Sequence, residues 1–193
     1  YKARIVIGKD TRRSSYMFEY ALAAGLTASG ADAYLLHVTT TPSVSFVVRT
    51  EDFDCGIMIS ASHNPYYDNG IKIISGSGKK IEAEVEQKIE DYIDGKTGEL
   101  PLATGERIGR TVDYIAGRNR YIGHLIAMAT RSFKNTRSDW TAPTEALLRS
   151  RRVCSTHWEP RPTSSTMSRM AQISTGIVVP PTLAKLKNLC WSV

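Results

Sequence analysis

Gly56-Ile57-Met58-Ile59-Ser60-Ala61-Ser62-His63-Asn64-Pro65-Tyr66-Tyr67-Asp68-Asn69-Gly70-Ile71-Lys72-Ile73-Ile74 is a strand, a polar loop and a second strand in one stretch. Gly56 to Ile59 is apolar without a polar interruption, as a buried strand requires. Ile71 to Ile74 is the second run. Between them Asn64-Pro65 and Asp68-Asn69-Gly70 are turn signals, so the loop folds back on itself. A strand, an exposed loop and a strand present reactive groups at a sheet edge. Ser62 falls at the carboxyl end of the first strand, where α/β proteins place their ligands. His63 can orient or polarise a neighbour, and Lys72 offers a positive charge suited to a phosphate. Residue types alone leave two readings open: covalent or phosphoryl chemistry at a serine, or an ordinary polar hairpin with an incidental one.

Working outward, Ile5-Val6-Ile7 is a short buried strand leading into a Gly8 loop, and Ser14 or Ser15 can cap a helix that runs to about Ser29 and stops at Gly30. Tyr34–Val38 is the next strand, and Thr41-Pro42 opens a short helix through Val48. Ile81, Val85, Ile89 and Ile93 recur every four residues on a charged helix expected to pack one face on the sheet. A longer helix is expected over Thr111–Thr130. Strands alternating with helices imply a mostly parallel sheet.

The chain has 193 residues and a formal charge of +6. That length holds one sizeable domain with room for an appendage. No apolar run approaches a transmembrane span and the first residues lack a signal-peptide pattern, so no membrane partner is expected. Three cysteines without paired spacing speak against a disulfide scaffold or a zinc site and for a reducing cytoplasm. The charge is uneven: residues 1–133 hold 16 Lys+Arg and 16 Asp+Glu, whereas residues 134–193 hold 9 against 3. Trp140, Trp158, Trp191, Cys154 and Cys190 also lie in that tail, which prolines interrupt throughout.

Ser60-Ala61-Ser62-His63-Asn64-Pro65 followed by Tyr67-Asp68-Asn69-Gly70-Ile71-Lys72 resembles the phosphoserine loop of the α-D-phosphohexomutases. Gly8-Lys9-Asp10-Thr11-Arg12-Arg13-Ser14-Ser15 is similar to a second motif of the same family. The Tyr66-Tyr67-Asp68-Asn69-Gly70 continuation, Leu102 to Gly109 and Ala116 to Tyr121 resemble its phosphoglucosamine mutase branch. The likeness runs from about Tyr1 to Phe133. It implies a three-layer α/β/α first domain with a mixed, mostly parallel sheet over 1–133. It also implies an isomerase that moves a phosphoryl group between a serine and an amino-sugar phosphate, with magnesium on one oxygen of the phosphoserine. Carried across, Ser62 matches the phosphorylated serine and metal contact, with Ser60 as its rival. His63 and Asn64 match residues that shape the site. Lys72 matches a general acid/base or charge stabiliser, or else is a surface lysine on a strand. Arg12 and Ser14 match the loop behind the site, where a structural role weighs as much as a functional one. His37 and His124 carry no motif support.

The genetic code bears on the tail. Slid forward by two bases, Asp139 to Glu145 permits Leu-Asp-Cys-Ala-Asn-Gly, a phrase that resembles the opening of the family's second domain. The same slide forces Leu-Gly through His157 to Glu159, and permits Asn-Asp-Glu-Pro-Asp-Gly-Thr-Asn-Ile-Asn over Ser165 to Thr175. Residues 134–193 are therefore expected to be an out-of-frame, irregular tail, disordered or poorly packed, with the crossover between Phe133 and Arg137. The basic excess is then what the wrong frame encodes, so no nucleic-acid partner is expected. His157, Cys154 and Cys190 deserve no role. The family's Asp-Gly-Asp-Gly-Asp-Arg metal loop and its sugar and phosphate loops do not occur in the sequence, so the chain alone is expected to be inactive as a mutase, forming no glucosamine 1-phosphate. Two classes stay open: a mutase first domain whose intact enzyme is free to oligomerise, and a non-catalytic binding or regulatory protein reusing that domain. Another phosphohexomutase specificity, for mannose or glucose phosphates, is the alternative within the first class.

Overall fold

Three central strands alternate their side chains between two cores, and that alternation sets the layers. In the computed structural model, which describes residues 1–130 and the backbone of Arg137–Ser138 and Arg161–Pro162, the order is β1 (Arg4–Lys9), α1 (Arg13–Ala28), β2 (Asp32–Val38), α2 (Thr41–Thr50), β3 (Cys55–Ile59), β4 (Ile71–Ser75), α3 (Ala83–Ile93), a 3-10 turn (Gly105–Arg107), β5 (Thr111–Asp113) and α4 (Ile115–Ala127). The sheet runs β4-β3-β1-β2-β5. β1 pairs in parallel with β2 and β3, β2 with β5, and β3 antiparallel with β4. Val6, Leu36 and Met58 join Val44, Val47 and Val48 of α2 in one core. Ile7, Leu35 and Ile57 join Ala23 of α1 in the other. The three-layer, mixed and mostly parallel sheet matches the expectation.

α2 lies close to the sheet because two strand positions carry no side chain. A Cβ on Gly8 meets Val44 Cγ2 at 2.5 Å, and one on Gly56 meets Val48 Cγ2 at the same distance and Val44 Cγ1 at 2.9 Å. Pro42 sits in the first turn of α2, where its missing N–H is harmless. α4 completes the layer through Tyr114 at its start, whose ring packs edge-on against Tyr34 at 5.4 Å.

Several local expectations are corrected. The segment predicted as one helix over Thr111–Thr130 opens as β5, because Val112 finds a parallel partner in Tyr34; the helix starts only at Ile115. Ile81 precedes α3 and donates its N–H to the Ile73 carbonyl. No residue of α3 is buried, and Ile93 is 75% exposed, so its apolar spacing covers no core among the described residues. Neither Ser14 nor Ser15 caps α1. Arg12 holds the N-cap position, and the Ser15 hydroxyl donates backwards to the Asp10 and Arg12 carbonyls at 2.9 and 2.6 Å. The expected tail over 134–193 lies outside the described residues, save that Arg137–Ser138 (β6) and Arg161–Pro162 (β7) pair in parallel.

Two carboxylates tie the sheet's lower ends. Asp32 accepts from the Arg110 backbone N–H at 2.9 Å and from its Nε at 3.3 Å. Asp54 accepts from the Arg4 N–H at 2.7 Å and from the Tyr1 hydroxyl. Those backbone donors are the main reason both carboxyls sit below their ordinary value of 3.8, against the opposing cost of burial.

Gly56→Ala is expected to lower stability by about 1–3 kcal/mol, read as a lower urea midpoint at unchanged slope. Combined with Val48→Ala, the losses should be less than additive; full additivity would contradict the close approach. For Asp32 the sign follows from a depressed folded-state pKa. The stabilisation is complete above 3.8 and is lost as pH falls from there through the depressed value. Asp32→Asn should flatten that part of the stability-versus-pH curve, and an unchanged acid limb would refute the assignment.

Candidate active site

The chain changes direction in the sheet between β1 and β3. From β1 it crosses through α1 to β2 on one side, and from β2 it returns through α2 to β3 on the other. The loops leaving the carboxyl ends of β1 and β3 therefore part at the crevice where open α/β sheets bind ligands. Lys9 and Ile59 are register partners, and the Asp10 N–H donates to the Ile59 carbonyl at 2.9 Å. Asp10 and Ser60 thus leave the sheet side by side.

The Ser60–Gly70 connection is closed at its base by Ser60 N–H to the Gly70 carbonyl at 2.8 Å. A Cβ on Gly70 meets the Ser60 carbonyl oxygen at 2.8 Å, so only glycine allows that approach. Lys72 Nζ, on β4, donates to the same Ser60 carbonyl at 2.6 Å. Asn64 N–H to the Ala61 carbonyl at 3.1 Å and Asp68 N–H to the Pro65 carbonyl at 3.0 Å close two turns, centred on Ser62-His63 and Tyr66-Tyr67 rather than on the Asn64-Pro65 and Asp68-Asn69-Gly70 signals read in the sequence. Ser62, His63 and Asn64 are exposed at the tip. The Ser62 backbone has φ +57, a left-handed conformation that costs a non-glycine residue about 1–2 kcal/mol. Its N–H donates to Ser60 Oγ at 3.1 Å. Ser62 Oγ lies 3.4 Å from His63 Nδ1, at the outer edge of hydrogen-bond reach.

Two groups from the β1–α1 turn reach this loop. The Arg12 guanidinium pairs through Nη1 with Asp10, while Nη2 donates to the Ser62 and Asn64 carbonyls at 3.3 and 2.8 Å. The Arg12 N–H donates to Asp10 Oδ1 at 3.0 Å, so Asp10 fixes both ends of that residue. The Ser14 hydroxyl meets Asn69 Oδ1.

Every sequence-named candidate falls in this one place: Ser62, His63, Asn64, Lys72, Arg12 and Ser14. The hydroxyl oxygen of Ser60, the rival nucleophile, accepts the Ser62 N–H at 3.1 Å. Asp10 and Asn69 belong to the motifs, but sequence reasoning assigns them no role. An aspartate ending a buried strand two residues before an arginine is the available signal. His37 stands apart, bridging buried Glu19 at 3.2 Å and Asp113 at 3.5 Å. His124 stacks on Phe46 at 4.6 Å. Burial pushes the Cys55 thiol up, which makes it a poor nucleophile.

Magnesium, implied by the resemblance, is poorly served here. No cluster of three or more His, Cys, Asp or Glu among the described residues could hold a metal ion. The nearest buried carboxylate, Asp10, is spent on Arg12. Hard cations of this kind need several oxygen ligands. The described residues do not build such a site.

Residues 1–99 match the phosphoglucomutase/phosphomannomutase family, alpha/beta/alpha domain I. A phosphoglucosamine mutase from Lachnoclostridium phytofermentans is 75% identical over 134 residues, covering 69% of this chain and 30% of that protein. One from Lachnospira eligens is 72% identical over 136 residues, covering 70% and 30%. The chain thus spans about 30% of the length of these relatives. Among solved structures, a phosphoglucomutase/phosphomannomutase family protein from Burkholderia thailandensis aligns with TM-score 0.53 and 25% identity, covering 68% of this chain and 29% of that one. A protein from Thermus thermophilus named for phosphomannomutase aligns with TM-score 0.60 and 26% identity, covering 83% and 37%. With the domain I match covering residues 1–99 and the Ser62 loop at the crevice of that fold, the chain belongs to the phosphoglucomutase/phosphomannomutase family.

Proposed function

We propose that this chain carries the phosphoryl-accepting loop of a phosphoglucosamine mutase, with Ser62 as the acceptor. The observation that carries it is one exposed serine hydroxyl, held on a braced left-handed turn at the sheet's crevice, in a chain 75% identical to such an enzyme over 134 residues. The reaction class is transfer between a serine and an amino-sugar phosphate. Ser62 Oγ attacks a phosphorus of a bisphosphorylated sugar, the P–O bond to the sugar breaks, and the sugar oxygen leaves. The hydroxyl proton passes to His63 Nδ1, 3.4 Å from Oγ, and the departing sugar oxygen takes up a proton from solvent to leave as a hydroxyl. In the reverse direction the phosphoserine gives up its phosphoryl group to a sugar hydroxyl.

Lys72 supplies positive charge at the base of the loop, as phosphoryl transfer requires of its surroundings. Its contact with the Ser60 carbonyl keeps the ammonium on the crevice side of β4. Asn64 shapes the turn through its own N–H and carbonyl. Magnesium belongs to this reading as a charge neutraliser, with an oxygen of phosphorylated Ser62 as the one ligand this loop offers. No helix among the described residues is long and apolar enough to cross a membrane. We place the protein in the cytoplasm, where sugar phosphates are found, with neither nucleic acid nor membrane as partner.

We also propose that residues 134–193 are an out-of-frame translation of the next domain. The identity to the first two relatives extends over 134 and 136 residues, where the composition breaks.

Incubation with glucose 1,6-bisphosphate and peptide mapping should place one phosphate on Ser62. Ser62→Ala should abolish it, while Ser60→Ala should retain it at reduced yield. A phosphate on Ser60 would overturn the assignment. Lys72→Met should slow uptake on the order of 10²-fold or more, by loss of charge at the developing transition state. Resequencing the locus should reveal a one-base change whose repair restores an Asp-Gly-Asp-Gly-Asp-Arg loop; stop codons throughout the repaired frame would refute the frame break.

A further inference from the structure

We propose that Arg12 is a positioning residue, locked by Asp10, whose task is to hold the Ser62 backbone in its left-handed turn rather than to bind phosphate. This rests on the reading of Ser62 as phosphoryl acceptor. Sequence resemblance places Arg12 in the loop behind the site and leaves a structural and a functional role open; the geometry assigns its donors to the protein itself. Nη1 is committed to the Asp10 carboxylate. Nη2 is divided between the carbonyls of Ser62 and Asn64 at 3.3 and 2.8 Å. Nε is buried without a hydrogen-bond partner. The side chain is only 11% exposed, which leaves little of the guanidinium open to a phosphate in the crevice.

Both acceptors lie just after the constrained N–Cα bond of Ser62. Ser62 has φ +57, and Arg12 grips its own carbonyl and that of Asn64, two residues on. Released from that grip, a serine returns to negative φ and its Oγ swings with the backbone. A rigid planar fork suits the task because it meets a carboxylate and two carbonyls in one plane, which a lysine ammonium cannot do. Asp10 supplies the fixed end. Its own N–H is tied to β3 through the Ile59 carbonyl, and its carbonyl accepts from Ser15 Oγ of α1. The chain of contacts therefore runs from the sheet through Asp10 and Arg12 to the acceptor serine. Ser14 with Asn69 makes a second tie from α1 to the far arm of the loop.

Thermal unfolding of the 193-residue chain separates a clamp from a ligand. Ser62→Gly should raise the midpoint by roughly 2–4 °C in an otherwise unaltered chain, because glycine adopts positive φ freely. In an Arg12→Met background the same substitution should give no rise, since the released serine has already relaxed. An equal rise in both backgrounds overturns the clamp. Should Arg12→Met fail to unfold cooperatively, Arg12→Lys makes the same comparison, with a smaller rise expected and an undiminished one overturning the proposal. Phosphate uptake by Ser62 from glucose 1,6-bisphosphate supplies the kinetic arm. Arg12→Lys should lower its maximal rate on the order of 100-fold while the half-saturating donor concentration changes by less than about threefold. A raised half-saturation at unchanged maximal rate would make Arg12 a phosphate ligand instead. If the unsubstituted chain takes up no phosphate, the acceptor role of Ser62 in this chain fails, and the thermal comparison still decides the clamp.

Discussion

The parallel pairing of β1 with β3 is the constraint on which the site depends. It requires the chain to leave β2, pass over β1 within α2 and return on the far side, and that path is open only because Gly8 and Gly56 let α2 close on the sheet. Once the register sets Lys9 against Ile59, Asp10 and Ser60 emerge together and in the same direction. Arg12 then spans two loops that are 50 residues apart in sequence. A one-residue slip would turn every side chain of β3 to the opposite face and exchange the two cores. The core packing and the site geometry are therefore specified by the same strand pair.

The sheet and its cores were legible because the strands state their own burial. Ile5-Val6-Ile7 and Gly56 to Ile59 are uninterrupted apolar runs, and Gly30 with φ +92 ends the first crossover where a glycine signal stood. What the sequence hid was set by tertiary contacts. β5 is three residues long and owes its existence to β2, so nothing local distinguishes Thr111–Asp113 from the helix behind it. α3 carries the four-residue spacing of a packed helix yet buries none of its residues, because periodicity records a face and not what covers it. At the site, although the turns themselves fall on Ser62-His63 and Tyr66-Tyr67, the reversal between the two strands was readable from the loop's Asn, Asp, Pro and Gly residues. Asn69 was not, since its partner Ser14 lies 55 residues away, and Asp10 was not, since its role is to meet Arg12 around a tight bend.

Charge at the crevice is arranged so that little of the basic machinery is free to wander. Arg12 is neutralised by Asp10 and directed at carbonyls, while Lys72 is steered by a carbonyl but keeps no carboxylate partner among its hydrogen bonds to the described residues. In the proposed reading that difference would make Lys72, rather than Arg12, the cation that serves an incoming dianion. A guanidinium already paired with a buried carboxylate adds little net positive potential. An ammonium held only by a neutral dipole adds its full charge. The distinction separates a brace from an electrostatic participant without appeal to either residue's place in a motif.

The exposure of Ser62, His63, Asn64, Tyr66 and Tyr67 sets the last condition on the chemistry. Fixed donors act on a transferring phosphoryl group most strongly where water is excluded, and here every group at the loop tip faces solvent. In the proposed reading the loop would supply position and a nucleophile, with shielding and most of the counter-charge left to surfaces outside the described residues. A chain that aligns with about 30% of its relatives' length is consistent with that division. The Ser62 loop is braced from within its own fold, by Asp10 and Arg12. In the proposed reaction, a nucleophile pre-set on its own sheet would meet a sugar phosphate presented in either orientation, as return of phosphate from the opposite end of the substrate would demand.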